Sequence, residues 1–271
     1  MLTNRKPLSY YVLAAFFGLF VLFLYGPLLA IFTLSLQGPD GSLTFPMRGF
    51  GLNWISGVFE DQIVGSFVEP FGRSLLLGLM VAGITVVLAL STGLAFRKPF
   101  RGATPLFYLT IASLIVPGIL ISLGISLLFE LTGQSIQWYS SGLVGHLTWT
   151  LPFAFLIVLG VFNRFNPYYE EAARDLGASR FASFRTIVLP LIAPSLLGVA
   201  ILSFTLSYDE FTRTSLIAGE NNTLPLEIFG MTTNVTKPTL YAFGTVTTTI
   251  SFALVGLAIA SFQYFSRRRG K

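Results

Sequence analysis

Residues 171–190 read EAARDLGASRFASFRTIVLP, a polar segment set between two stretches of chain that are far more apolar. Upstream, Asn166 and Pro167 form a helix start: asparagine accepts from free amides, and proline's missing N–H is no loss at a first helical position. Glu170 and Glu171 follow, near the positive end of the helix dipole. Gly177 supplies the positive φ that ends such a helix, and Ser179 caps a second one. Phe181, Phe184 and Val188 recur at spacings of three and four, which gives the second helix one apolar side. The spacing therefore predicts a short, charged helix pair. Standing alone, it also describes an amphipathic connector lying on a membrane surface.

Composition sets the surroundings of this loop. Of the 271 residues, 53% are hydrophobic and 11% charged, and the mean hydropathy is +0.73. Such a chain has too little polar surface for a water-soluble globule. A hydrocarbon layer about 30 Å thick needs about twenty apolar residues in helix, and six stretches meet that need: 10–36, 73–96, 104–129, 141–163, 187–218 and 240–265. The expected fold class is all-α, a polytopic membrane protein of six spans forming one membrane domain over 1–271, with 164–186 as a loop between spans four and five. A membrane β-barrel would instead show short alternating strands. Arg5 and Lys6 before the first apolar run resemble a signal peptide, but the run is too long for one, so it reads as an uncleaved first helix. The outer segment 37–72 holds Trp54, Ile55, Val58 and Phe59 at helix-like spacing, which predicts short interfacial helices.

Lysine and arginine orient the spans. Thirteen of the seventeen fall in the N-terminus, the loop around Arg97, Lys98 and Arg101, the 164–186 loop and the C-terminus. The positive-inside rule places all four in the cytoplasm. The formal net charge of +5 is thus a topology signal rather than a nucleic-acid footprint. There is no cysteine, hence no disulfide and no thiolate metal site. His146 is the sole histidine and cannot form a metal site alone, so it reads as structural. No GxxxxGK[ST] segment is present, so the chain holds no ATP through a P-loop, and no serine, histidine and acid set with known spacing points to a hydrolase.

Charges near a span need a reason, because each costs about 2.5–3.5 kcal/mol at mid-bilayer. In SFTLSYDEFTRTSL, Asp209, Glu210 and Arg213 lie at the outer end of the expected fifth span, Asp209 about 28 Å from Pro190 at 1.5 Å per residue. Asp209 and Arg213, four apart, are positioned to pair on one helix face, while Glu210 points elsewhere. Two readings follow: a polar lining or gate of a translocation path, with Tyr208, Asp209, Glu210, Arg213 and Pro117 as candidates, or a self-satisfied anchor for the helix end. Trp149, Tyr168, Tyr208 and Phe211 are candidate aromatic contacts for a cation.

The order Glu171, Ala172, Ala173, then Gly177, Ile187, Leu189 and Pro190 resembles the EAA loop of ABC importer permeases. The resemblance implies that the loop docks on an ATPase subunit, with Glu170, Glu171, Ala172, Ala173, Asp175, Gly177 and Arg180 as coupling residues. LPLIAPSLLGVAILSFTLSYDEF at 189–211 and LPLEIFGM at 224–231 look like the second permease of spermidine/putrescine-type importers. What this implies is a type I importer fold in a bacterial inner membrane, a second permease, two ATPase subunits that bind ATP and Mg²⁺, an extracytoplasmic solute-binding protein, and no cofactor or enzymatic activity in this chain. The solute expected is small and polar: a polyamine, an opine or an amino-acid derivative. One departure is visible: where polyamine-type permeases commonly place an acid after the third-span proline, SLIVPGILISLG has Pro117 and then Gly118. A lost carboxylate weakens the case for a polycation. The alternative is an ion-coupled secondary carrier using Asp209 and Glu210.

Overall fold

The computed structural model describes residues 6–41, 43, 45–60, 66–234 and 237–269. Arg5 and Lys271, counted above in the basic termini, lie outside the described residues. Helices run in the order α1 (Leu8–Leu34), α2 (Asn53–Ser56), α3 (Val68–Phe96), α4 (Ala103–Ser113), α5 (Gly118–Leu131), α6 (Ser141–Arg164), α7 (Tyr168–Asp175), α8 (Arg180–Ser183), α9 (Leu189–Tyr208), α10 (Thr214–Ile217), α11 (Leu224–Asn234) and α12 (Thr239–Arg269). No strand occurs among the described residues. Among the described residues, five stretches are long and apolar enough to cross a membrane, and α4 with α5 makes a sixth if that bent pair is one span.

The chain divides into two compact units. One comprises Met1–Phe67 and Ile228–Lys271. In it α1 packs against α12, with Gly244 beside Ile31. In the segment expected to form short helices, the chain forms α2 and a single 3₁₀ turn at Gly57–Phe59. That turn buries Val58, and Phe67 meets Phe59 and Phe243 edge-on at 5.5 and 5.6 Å. Trp54 Nε1 donates to the Gly38 carbonyl at 3.2 Å.

The other unit is Val68–Glu227, and its centre is the mutual packing of α3, α6 and α9. Ala89 from α3, Ala154, Val158 and Phe162 from α6, and Ile192, Leu196 and Val199 from α9 form one buried cluster. Lipid tails are as apolar as leucine, so such helices are held by close van der Waals contact rather than by exclusion from water. Small residues allow it. A Cβ on Gly93 would strike Val158 Cγ1 and lie 3.1 Å from the Phe162 ring, and one on Gly78 would lie 3.0 Å from the Phe204 ring. A buried hydroxyl pair, Thr85 Oγ1 and Thr150 Oγ1 at 2.9 Å, ties α3 to α6.

Two spans differ from the sequence expectation. The stretch 104–129 is not one straight helix: α4 and α5 meet at 106°. Pro117 has no N–H to continue α4 and disfavours helical geometry at Val116. With ψ at 129° it sits instead as the N-cap of α5, and its carbonyl accepts from Leu120 and Ile121. The stretch 187–218 is also broken, since α9 ends at Tyr208 and the chain turns before α10. At its other end the fifth span starts earlier than expected. The α8 helix passes through a π turn at Phe184–Val188 directly into α9. Pro190 explains the wide turn: it offers no N–H to the Thr186 carbonyl, and its ring needs room there.

Gly93 and Gly83 lie on the same helix, but nothing stands within 4 Å of a Cβ built on Gly83. Gly93→Ala is expected to lose about 1–3 kcal/mol of stability through overpacking, and Gly83→Ala to lose none; thermal unfolding of the two variants in detergent checks the contrast.

Candidate functional site

Between α6 and α9 the chain makes a compact helix–turn–helix. Asn166 Oδ1 accepts from the Tyr168 amide at 3.0 Å, which starts α7. Glu170 and Glu171 occupy its first turn and Arg174 its last, as the helix dipole favours. The helix ends in a Schellman motif: the Ala178 amide donates to the Ala173 carbonyl at 3.0 Å, and the Gly177 amide to that of Arg174 at 2.8 Å. Gly177 takes φ +86°, where any side chain is strained. Ser179 Oγ then accepts from the Ala182 amide at 3.1 Å and caps α8.

The capped backbone presents an uncovered face. Tyr168 is 70% exposed, Leu176 91% and Phe181 70%, and Glu171, Ala172, Asp175 and Arg180 are exposed beside them. Ala173 is half-buried. Phe181 thus departs from the apolar side predicted for the second helix, on which Val188 alone is buried. Glu170 points away from this face. Its Oε1 lies 2.7 Å from Arg97 Nη1 at the end of α3, and its Oε2 lies 3.7 Å from Arg174 Nη2.

The polar end of the fifth span is a second cluster. Arg213 pairs with Glu210 at 3.2 Å, both side chains buried, rather than with Asp209 as the four-residue spacing suggested. That spacing applies only on a continuous helix, and α9 stops before Asp209. Glu210 Oε1 also accepts from the Arg213 amide at 2.8 Å, so one carboxylate satisfies both the backbone and the guanidinium at the start of α10. The guanidinium lies 4.3 Å from the centre of the Trp149 ring. The face offered above as a contact for a solute cation is therefore occupied by the chain's own. Gly118, next to Pro117, makes room: a Cβ there would lie 2.9 Å from Arg213 Cζ. Pro117 itself and Asp209 are exposed. Tyr208 is buried, stacked on Phe204 at 5.6 Å and edge-on to Phe71 at 6.4 Å.

His146, fully buried on α6, closes the cluster. Its Nδ1 lies 2.7 Å from Ser207 Oγ and its Nε2 2.8 Å from Thr214 Oγ1. Thr214 has one hydroxyl hydrogen, which it donates to the Glu210 carbonyl. In the neutral ring Nε2 must then be the donor to Thr214, and Nδ1 accepts from Ser207. The imidazole clasps the two sides of the 208–214 turn.

Residues 85–271 match the family described as binding-protein-dependent transport system inner membrane component. The chain belongs to that family. This permease is 28% identical over 246 residues to the spermidine/putrescine transport system permease protein PotC of Haemophilus influenzae, covering 90% of this chain and 93% of the relative. It is 26% identical to the putrescine transport system permease protein PotI of Escherichia coli, covering 83% and 81%. Its fold is shared with a chain of a bacterial ABC transporter involved in alginate import, at a TM-score of 0.71 and 15% identity over 97% of this chain and 96% of that one. It also matches a chain of the MetNI methionine ABC transporter, at 0.55 and 18% over 73% and 93%. The permease is thus of the type I importer class, resembling permeases of polyamine transporters.

Sequence reasoning used Arg97 only as a topology signal and missed its link to Glu170. It also missed the clasp of Ser207, His146 and Thr214. The seven-residue interval between that serine and threonine was the available signal.

Glu210→Ala leaves the buried Arg213 without its partner and is expected to cost this permease about 3–5 kcal/mol. Asp209→Ala, on an exposed side chain, is expected to stay within about 0.5 kcal/mol. Chemical unfolding in detergent micelles, followed by tryptophan fluorescence, separates the two.

Proposed function

We propose that this permease forms half of the translocation pathway of an ATP-driven importer and that residues 166–186 are its docking site for an ATPase subunit. The observation that carries the reading is the uncovered face of the loop: Tyr168, Leu176 and Phe181 stand exposed around Glu171 on a backbone fixed by a Schellman turn and a serine cap. Large apolar side chains held rigidly in water beside a charge are the profile of an interface centre. ATP and Mg²⁺ are proposed to bind in that partner. Two ATPase subunits, a second permease and an extracytoplasmic solute-binding protein complete the assembly. The bias of lysine and arginine toward one set of loops supports a cytoplasmic position for both termini and the docking loop.

The solute proposed is small and polar, of polyamine, opine or amino-acid type. The names of the relatives favour a polyamine. The exposed Asp209, beside a Glu210–Arg213 pair that balances itself, supports a positively charged group on the solute. Pro117 and Tyr208 flank the same end of the molecule's polar cluster and are proposed as part of its wall.

Native mass spectrometry of the tagged chain, extracted in mild detergent, tests the assembly. Two ATPase copies and a second permease are expected. Glu171→Lys is expected to weaken ATPase association about tenfold or more and to abolish uptake while membrane insertion is retained. A chain that runs alone and still imports solute under an ion gradient would replace this reading with the secondary carrier.

A further inference from the structure

No residue of α7 is fully buried; Tyr169 meets Phe165, at the end of α6, edge-on at 6.3 Å, and the helix also touches the π turn that runs into α9. The chain connects it to α6 through Phe165 and to α9 through the Gly177 turn and α8. The third member of the core, α3, has no chain connection to α7. One side-chain link supplies it: the pair of Glu170 and Arg97 at 2.7 Å. Arg97 is the first residue after α3, and its guanidinium also lies 5.2 Å from the Phe162 ring and 5.4 Å from the Phe165 ring. Glu170 is 13% exposed and Arg97 24%. An ion pair of this length, its guanidinium backed by two rings, keeps the two charges together, whereas its contribution to stability in partial solvent is small.

We infer that Arg97 and Glu170 form a strut through which α7 drives α3, so that the docking loop moves all three core helices as one body. Glu170 is a positioning residue, distinct from Glu171 on the docking face. The inference rests on the coupling role given to the loop above.

The absence of cysteine allows a direct test in the assembled importer. Spin labels on Ser91→Cys in α3 and Tyr169→Cys in α7, both at exposed positions, report the distance between the helices by double electron–electron resonance, without nucleotide and with ATP and vanadate trapped. With the strut intact the distance is expected to be the same in both states. In Glu170→Gln or Arg97→Gln the two states are expected to differ by about 2 Å or more. The double variant should behave as either single one, because both remove one interaction, and the reversed pair Arg97→Glu with Glu170→Arg should restore part of the agreement. A merely structural contact would shift the distance equally in both states, and that result, or no shift at all, overturns the strut while leaving the docking reading intact. Failure of the unaltered chain to bring down an ATPase overturns both.

Discussion

A backbone inside a bilayer has no water to bond with, so every amide and carbonyl freed at a helix break must find a partner in the protein. This permease breaks two of its spans, and the architecture of its larger unit follows from how those breaks are satisfied. At Pro117 the proline begins a new helix by accepting with its own carbonyl. After Tyr208 the groups of the turn are met by side chains: Glu210 accepts from the Arg213 amide and Thr214 Oγ1 donates to the Glu210 carbonyl; at the far end of α10, Ser141 Oγ donates to the Ile217 carbonyl at 2.8 Å. The two breaks then share a contact, Gly118 against the Arg213 guanidinium. A glycine after the third-span proline is therefore the space in which the arginine of the other break sits.

The same economy explains the histidine. A neutral imidazole offers one donor and one acceptor at fixed angles. It can join two hydroxyls on either side of a turn without adding a charge that would need its own partner. Threonine and serine complete the set because each hydroxyl both gives and takes. Gly145 lets the segment approach, since a Cβ there would overlap Ile217 Cδ1. Four elements, α5, α6, α9 and α10, thus meet around a cluster whose one ion pair is balanced internally.

Much of this fold could be read from the residues. Run lengths of apolar chain located the spans, and Asn166, Gly177 and Ser179 announced the helix pair because caps and positive φ are local demands. The breaks were not legible from hydropathy, which averages over Pro117 and over Asp209 to Arg213 without registering that a helix stops. The pairing of Arg213 was misjudged for the same reason: spacing along a helix has no meaning once the helix has ended. Nor could the partner of Glu170 be read, because Arg97 is distant in sequence and only the packing of α3 beside α6 brings the two together.

Glu170 and Glu171 show how little separates the two tasks of the loop. On α7 neighbouring residues point about 100° apart, so one carboxylate reaches inward to the end of α3 while the next faces outward with Leu176 and Phe181. Both are acidic at the positive end of the helix, where the dipole favours either, and composition alone assigns them the same role. Geometry assigns them different ones. An exposed charge on a rigid, apolar face is suited to recognising a partner, whereas a charge held at 2.7 Å against a ring-stacked arginine is suited to transmitting displacement. A loop that docks without the second element would move α6 and α9 and leave α3 to follow through side-chain packing alone.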